Sequence, residues 1–306
     1  MNKLDPRIHT DFMHLKSLQS KAKSIHFLGR QHSKSVLSGR HSSRIRGRGL
    51  SFEELRDYRA GDDVRTIDWR VTARTGKPHI RVYSEEKDKS ALLIVDQRLS
   101  MFFGSKHNMK SVTASELATL IAYSLVAQGD RIGGVIFNDH TVTSLKPSKR
   151  PAAIEQFVSL LSEFNCQLNV NCKNTEAVMH LNTPLQAAQR LISHDQIVVV
   201  LSDFSEVDET TEQYLSQIAN HNSVILCLIT DSLTQSLPKN MRLNVSNGDS
   251  QMLLNTFNEK THNALNAVFL DRVAQIKSWQ NRPNITVIPF CASLDSFEQL
   301  KQALAR

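Results

Sequence analysis

This 306-residue chain is short of cysteine, of aromatic residues and of long apolar runs. Its four cysteines (Cys166, Cys172, Cys227 and Cys291) show no C-x-x-C or similar metal-ligand spacing, and nothing in them suggests a disulfide framework. No apolar stretch approaches the ~20 residues needed to cross a bilayer. The amino-terminal MNKLDPRIHTDFMHLK lacks the continuous apolar core of a secretory signal. These absences predict a reduced, cytoplasmic protein. Neither G-x-x-x-x-G-K-S/T nor G-x-S-x-G occurs, so P-loop nucleotide hydrolysis and elbow-type acyl transfer find no support. Gly104-Ser105-Lys106 is too short to cradle phosphates, and the histidines are scattered.

Acidic residues are missing from one long segment. Residues 12–52 hold nine Lys+Arg, four His and no Asp or Glu, so residues 1–90 carry 20 Lys+Arg against 11 acidic residues. Such a segment attracts anionic surfaces, and an acidic partner is expected for residues 12–48. A peripheral attachment to anionic membrane through the same residues is the alternative. Its aromatics are few (Phe12, Phe27 and Phe52), which argues against stacking on single-stranded nucleic acid; no nucleic-acid partner is expected.

What is present is an ordinary globular composition, 40% apolar and 22% charged. Apolar Phe12, Leu15, Leu18, Ala22 and Ile25 predict an amphipathic helix within residues 7–28, followed by a mobile Ser/Gly/Arg-rich loop over 31–49. Residues 50–90 read as short strands, clearest at 79–84. From residue 91 strands and helices alternate: strands at 91–96, 131–137, 140–144, 196–203, 223–230 and 284–289, helices at 110–128, 151–164, 183–193, 208–221, 259–281 and 294–305, and a hairpin-like stretch at 241–256. The pattern predicts an α/β protein with a Rossmann-type parallel sheet flanked by helices, preceded by a smaller β-rich element. The expected divisions are residues 1–49, 50–90 and 91–306.

Binding sites in such sheets lie beyond the carboxyl ends of the strands. Asp96, Thr183 and Asp203 fall there. A strand ending in Asp-x-Ser-x-Ser begins the metal-ion-dependent adhesion site of von Willebrand factor A-type domains, where three loops hold a Mg²⁺, and ALLIVDQRLS (91–100) resembles it. Asp96 and Ser100 fit, but Arg98 replaces the first serine. A guanidinium offers donors only and keeps its proton, so it cannot be a ligand for a hard cation. The expectation is a degenerate site of Asp96, Arg98, Ser100, Thr183 and Asp203 without a tightly bound metal or other cofactor. The guanidinium would lie near Asp96 or Asp203 in place of the ion. Any residual Mg²⁺ would use Asp96, Ser100, Thr183 and Asp203.

The run GRGLSFEELRDYRAGDDVRTIDWRVTARTGKPHIRVYSEE (47–86) resembles the domain of unknown function 58 family. The matches are Gly47 and Gly49, Tyr58-x-x-Gly61-Asp62, Arg65-x-x-Asp68-Trp69, Ala73-Arg74-x-Gly76, Gly129-Asp130-Arg131-x-Gly133 and Leu201-Ser202-Asp203. That resemblance implies a von Willebrand factor A-like domain and a non-enzymatic adaptor in bacterial complex assembly or maturation. The implied partners are a MoxR-type AAA+ ATPase and membrane-bound von Willebrand factor A proteins. Many family members begin with membrane helices, and this chain shows none.

Within that run Asp57, Asp62, Asp63 and Asp68 alternate with Arg56, Arg59, Arg65, Arg70 and Arg74. The alternation predicts a structural network of side-chain ion pairs, centred on Arg65, Asp62, Asp68 and Arg74, with Trp69 buried. An exposed docking surface is the second reading. A metal-dependent nuclease built from Asp62, Asp63, Asp68 and Lys77 is the remaining alternative, opposed by arginines that would neutralise the carboxylates.

Overall fold

The structure is a computed structural model, and it describes residues 5–25, 27, 50–85, 90–169, 179–235, 242–246, 251–255 and 259–305. The loop expected at 31–49 lies outside the described residues. The chain divides into two compact units, residues 1–32 with 89–306, and residues 33–88.

In the larger unit the amino-terminal segment forms two short helices, α1 (Phe12–Ser17) and α2 (Gln19–Ala22), rather than one helix over 7–28. Asp11 caps α1 by accepting the His14 N–H at 2.7 Å. The expected apolar stripe is buried at Leu15, Leu18, Ala22 and Ile25.

The segment lies in the core beside α4 (Lys110–Ala127), which is buried on nearly every side. The sheet strands are β3 (Ser90–Asp96), β4 (Arg131–Phe137), β5 (Val142–Ser148), β6 (Ile197–Ser202), β7 (Ser223–Thr230) and β10 (Ile285–Cys291), whereas β1 (Leu50–Asp57) and β2 (His79–Glu85) belong to the second unit. Their order is β10-β7-β6-β3-β4-β5, with all pairs parallel except β4–β5. Continuous apolar runs suit strands covered on both faces. Odd-numbered Ala91, Leu93 and Val95 face α4 and α5 (Pro151–Gln167), whereas Leu92 and Ile94 face α6 (Asn182–Gln189) and α7 (Glu209–Ala219). Gly134 on β4 is required by that packing, because a Cβ there would stand 2.4 Å from the Phe157 ring of α5.

After β7 come a short α8 (Ser232–Gln235), the expected hairpin as β8 (Arg242–Ser246) paired antiparallel with β9 (Gln251–Asn255), and α9 (Glu259–Ser278). α10 (Ser296–Ala305) closes the chain. The architecture is therefore the expected α/β one, a mostly parallel, doubly wound sheet wrapped by helices.

The smaller unit pairs β1 (Leu50–Asp57) with β2 (His79–Glu85) antiparallel. Between them lies a helix that strand-like reading missed, α3 (Trp69–Thr75). Asp68 caps it, accepting from Arg70 N at 3.0 Å and Val71 N at 3.2 Å, and Gly76 ends it at φ 74°. Those are the residue types that start and stop a helix.

Candidate functional site

β3 and β6 are adjacent, and the strand order runs outward from them in opposite directions. Doubly wound sheets open their binding crevice at such a switch point. β3 delivers Asp96 as its last residue, fully buried, and the chain turns back so that the Arg98 side chain is only 2% exposed. The guanidinium grips the carboxylate two residues upstream. Its Nε donates to Oδ1 at 3.0 Å, its Nη2 to Oδ2 at 2.7 Å, and the Arg98 backbone N–H to Oδ1 at 3.0 Å. The Ser202 hydroxyl, from the end of β6, donates to Oδ2 at 2.6 Å. Both Asp96 oxygens are thus occupied by N–H and O–H donors. Arg98 Nη1 also donates to the Met179 carbonyl at 3.0 Å, and Cζ lies 5.5 Å from the Phe137 ring centroid.

Burial opposes the charge on Arg98, but the carboxylate of Asp96, with Asp203 and Asp139 beyond it, holds the guanidinium pKa above its ordinary value. Asp139 receives the Leu99 N–H at 2.7 Å. Burial pushes its carboxyl up, the Leu99 bond opposes that, and Asp96 adds to the rise.

Asp203 has its own cation. The Lys110 ammonium lies 2.5 Å from Oδ2, and the Ser205 N–H donates to Oδ1 at 3.0 Å. Burial alone would raise the Asp203 carboxyl, but Lys110, with Arg98 behind it, holds it well below the usual carboxylate range. Two non-glycine residues of the following loop have left-handed backbones, Phe204 at φ 51° and Glu206 at φ 60°. Such conformations are strained and persist where surrounding contacts fix them. Here the Phe204 N–H donates to Ser202 Oγ at 2.9 Å, and its buried ring meets Trp279 edge-on at 6.2 Å.

Of the five expected residues, Asp96, Arg98 and Asp203 gather in this buried cluster. Ser100 is exposed at its rim, where the Ser205 hydroxyl donates to it at 3.2 Å. Thr183 sits exposed in the first turn of α6, and among the described residues no hydrogen bond joins its hydroxyl to the other four. Its loop contributes the Met179 carbonyl instead. Sequence reasoning missed Lys110 and Ser202. A lysine in the first turn of a helix opposes the helix dipole, and that anomaly was the available signal. Ser202 was visible in Leu201-Ser202-Asp203 but had no role to suggest it.

The second expected constellation, in the smaller unit, uses its aspartates differently. Asp62 takes a two-pronged bond from Arg56 (2.9 and 2.8 Å) and the Arg59 N–H at 2.8 Å. Asp63 accepts the Arg65 N–H at 3.0 Å. Asp68, 7% exposed, pairs with Arg81 at 2.7 Å. The expected network centred on Arg65 and Arg74 does not form. Arg56 and Arg81 pair with Asp62 and Asp68 instead, and backbone N–H groups of Arg59, Arg65 and Arg70 supply further donors to the aspartates. The side chains of Arg59, Arg65, Arg70 and Arg74 stay exposed with no ion pair among the described residues. The expected burial of Trp69 is also wrong: its side chain is 69% exposed. It follows the helix cap rather than facing the hairpin core, where Ile80 is buried. Asp62, Asp63 and Asp68 are each held by separate donors, and the Lys77 side chain is exposed with no ion pair to them among the described residues.

Comparison with known proteins adds a family name but no activity. Among curated proteins, an uncharacterized protein of Mycobacterium bovis and one of Mycobacterium tuberculosis are each 38% identical over 108 residues, 35% of this chain and 34% of theirs. The chain matches about a third of the length of these relatives. Among solved structures, conserved hypothetical protein BatB from Bacteroides thetaiotaomicron aligns over 71% of this chain and 97% of its own at 11% identity, TM-score 0.42. Proximal thread matrix protein 1 of the mussel byssus aligns over 71% and 45% at 13% identity, TM-score 0.38. The family model described as "Protein of unknown function DUF58" matches residues 54–274, most of the chain, and the protein belongs to that family.

Proposed function

We propose that this protein is a non-enzymatic interaction module of the von Willebrand factor A type whose adhesion site is closed by internal cations instead of a divalent metal. The observation that carries the reading is the occupation of the Asp96 carboxylate by Arg98 and Ser202, with Lys110 seated on Asp203. A hard cation such as Mg²⁺ needs free oxygen ligands in near-octahedral array. Asp96 offers it none, so the donor set does not fit the ion. Opposite unit charges about 4 Å apart at an effective dielectric of about 20 attract by about 4 kcal/mol before desolvation, enough for an arginine and a lysine to substitute for the ion as scaffold. The exposed rim, including Ser100, is then a rigid docking face with no open coordination position.

The adaptor role, with a MoxR-type AAA+ ATPase and membrane-bound von Willebrand factor A proteins as partners, comes from the family resemblance, the cytoplasmic location comes from the sequence pattern, and both remain part of this proposal. Affinity capture of the full chain from its native cells tests it. An AAA+ ATPase should be enriched, equally with and without EDTA, and Ser100→Arg should abolish the enrichment without changing the melting temperature. The metal-free site is tested separately: the parent should show no melting shift with Mg²⁺, whereas Arg98→Ser should gain one. A Mg²⁺ shift in the parent that Asp96→Ala removes would overturn the reading.

A further inference from the structure

The second unit carries a surface that the sheet-end site does not explain. Leu55 pairs with Arg81 across the β1–β2 hairpin, so their side chains share one face. Arg81 reaches Asp68, the cap of α3, with its guanidinium. That bond ties the cap of α3 to β2, and Trp69 is the next residue. Leu55 is 40% exposed, Val64 58% and Trp69 69%, three large apolar side chains in water within one small unit. Arg70 and Arg74 stand four residues apart on α3 and therefore on one stripe of it. With Arg65 they keep their guanidinium groups in solvent, because the neighbouring aspartates are already satisfied.

We infer that the Trp69 face docks an acidic, amphipathic segment of a partner protein. Trp and Arg together are the residue types that dominate interface energetics, an indole filling an apolar slot and guanidinium forks clamping carboxylates. These exposed arginines, without an ion pair among the described residues, set the sign of the partner. Among the described side chains of this unit Trp69 is the one exposed aromatic, and Leu55 and Val64 are exposed aliphatics. This mixture suits an apolar protein side chain better than stacked bases, which need successive aromatic platforms. The inference deepens the interaction-module reading and rests on it only in holding that the chain binds partners.

The test is fluorescence anisotropy with the full chain and three labelled probes. The first is a 16-residue helical peptide with one Leu face and one Glu face; the others are poly-glutamate and an oligo-dT of equal length. The amphipathic peptide should bind, and Trp69→Ala or the triple Arg65, Arg70 and Arg74→Ala should weaken it about tenfold or more, a typical hot-spot effect. Affinity should fall with added salt, and Ser100→Arg should bind as the parent does, which separates this face from the sheet end. Three results would overturn the inference: peptide affinity unchanged by Trp69→Ala, tighter binding of oligo-dT than of peptide, or no peptide binding at all. Acrylamide quenching of the free protein supplies a further check. Trp279 is 2% exposed, so the quenchable emission should be that of Trp69. An unquenchable Trp69 would mean that the chain covers this face itself, and the inference would fall.

Discussion

The two aspartate–arginine regions of this molecule use the same residue types in opposite ways. At the carboxyl end of the sheet Arg98 is enclosed and serves one buried carboxylate. In residues 55–81 Asp62 and Asp68 each take one arginine side chain, from Arg56 and Arg81, together with backbone N–H groups, and Asp63 takes a backbone N–H. The side chains of Arg59, Arg65, Arg70 and Arg74 face water. The difference follows from what the backbone offers. A turn or helix start presents N–H groups without intrahelical partners, and a short acidic side chain just ahead of them is their natural acceptor. A strand that ends deep in a sheet offers Asp96 fewer such groups, so it draws a cation inward. Charge alternation along a sequence therefore does not by itself say which arginines pair: Arg56 does, and Arg59, Arg65, Arg70 and Arg74 form no ion pair among the described residues.

Removing the enclosed cation should give the largest effect. Arg98→Met leaves Asp96 buried with its counter-ion gone, and breaking a buried pair costs about 3–5 kcal/mol. Urea unfolding should show that loss. Arg98→Met combined with Asp96→Asn should recover part of it, because no uncompensated charge is left. A single-variant loss under about 1 kcal/mol would place the pair with exposed ones and erase the contrast.

Acid should separate the regions next. Asp203 is held low by Lys110 against burial, and Asp68 is lowered chiefly by its Arg81 bond. Both contribute stability that is complete above the unfolded aspartate value of about 3.9 and is lost as pH falls through the folded value. Arg81 is 47% exposed, so salt screens the Asp68 pair, whereas Lys110 and Asp203 are shielded. Melting curves from pH 6 to 2 should show the larger acid dependence lost in Asp203→Asn, and added salt should blunt only the Asp68→Asn difference. Equal behaviour of the two variants would contradict the comparison.

A smaller effect of the opposite sign is expected at the amino-terminal segment. His14 Nε2 lies 2.7 Å from Glu116 Oε1, and that bond raises the His14 pKa against burial, with Asp11 adding and Lys21 opposing. Asn108 and Ser296 hold the other Glu116 oxygen at 3.0 and 2.7 Å. A raised histidine stabilises fully below its unfolded value of about 6.5, and that contribution fades as pH rises through the folded value. The melting difference between parent and His14→Gln should thus shrink from pH 6 to pH 9. A constant difference would mean that the histidine is held for its shape alone.

How much of this was legible depended on whether a signal was local. The runs at 91–96 and 196–203 announced buried parallel strands through continuous apolar residues, and the Arg98 exchange was visible because it broke a spaced pattern. Lys110 was not read, because its partnership with Asp203 spans 93 residues. The α3 helix escaped because seven residues give too little periodicity, although Asp68 and Gly76 marked its ends. Trp69 was misjudged because an aromatic residue beside a cap looks like core until the direction of the helix is known.

Trp69 supplies the finest test. Large apolar side chains normally contribute through burial, and a Trp→Ala change in a core costs about 3–5 kcal/mol. Trp279 is 2% exposed and meets Phe204 edge-on, so Trp279→Ala should fall in that range. Trp69→Ala removes a side chain that is 69% exposed, and substitutions of that kind stay within about 0.5 kcal/mol. Parallel urea titrations of the two variants set a buried indole in the sheet unit against an exposed one in the hairpin unit. If Trp69→Ala destabilises as much as Trp279→Ala, its ring is part of a core, and the exposed arginines around it lose their meaning as a docking rim. If it leaves stability unchanged while the acidic peptide no longer binds, the indole is kept at the surface for recognition and not for folding.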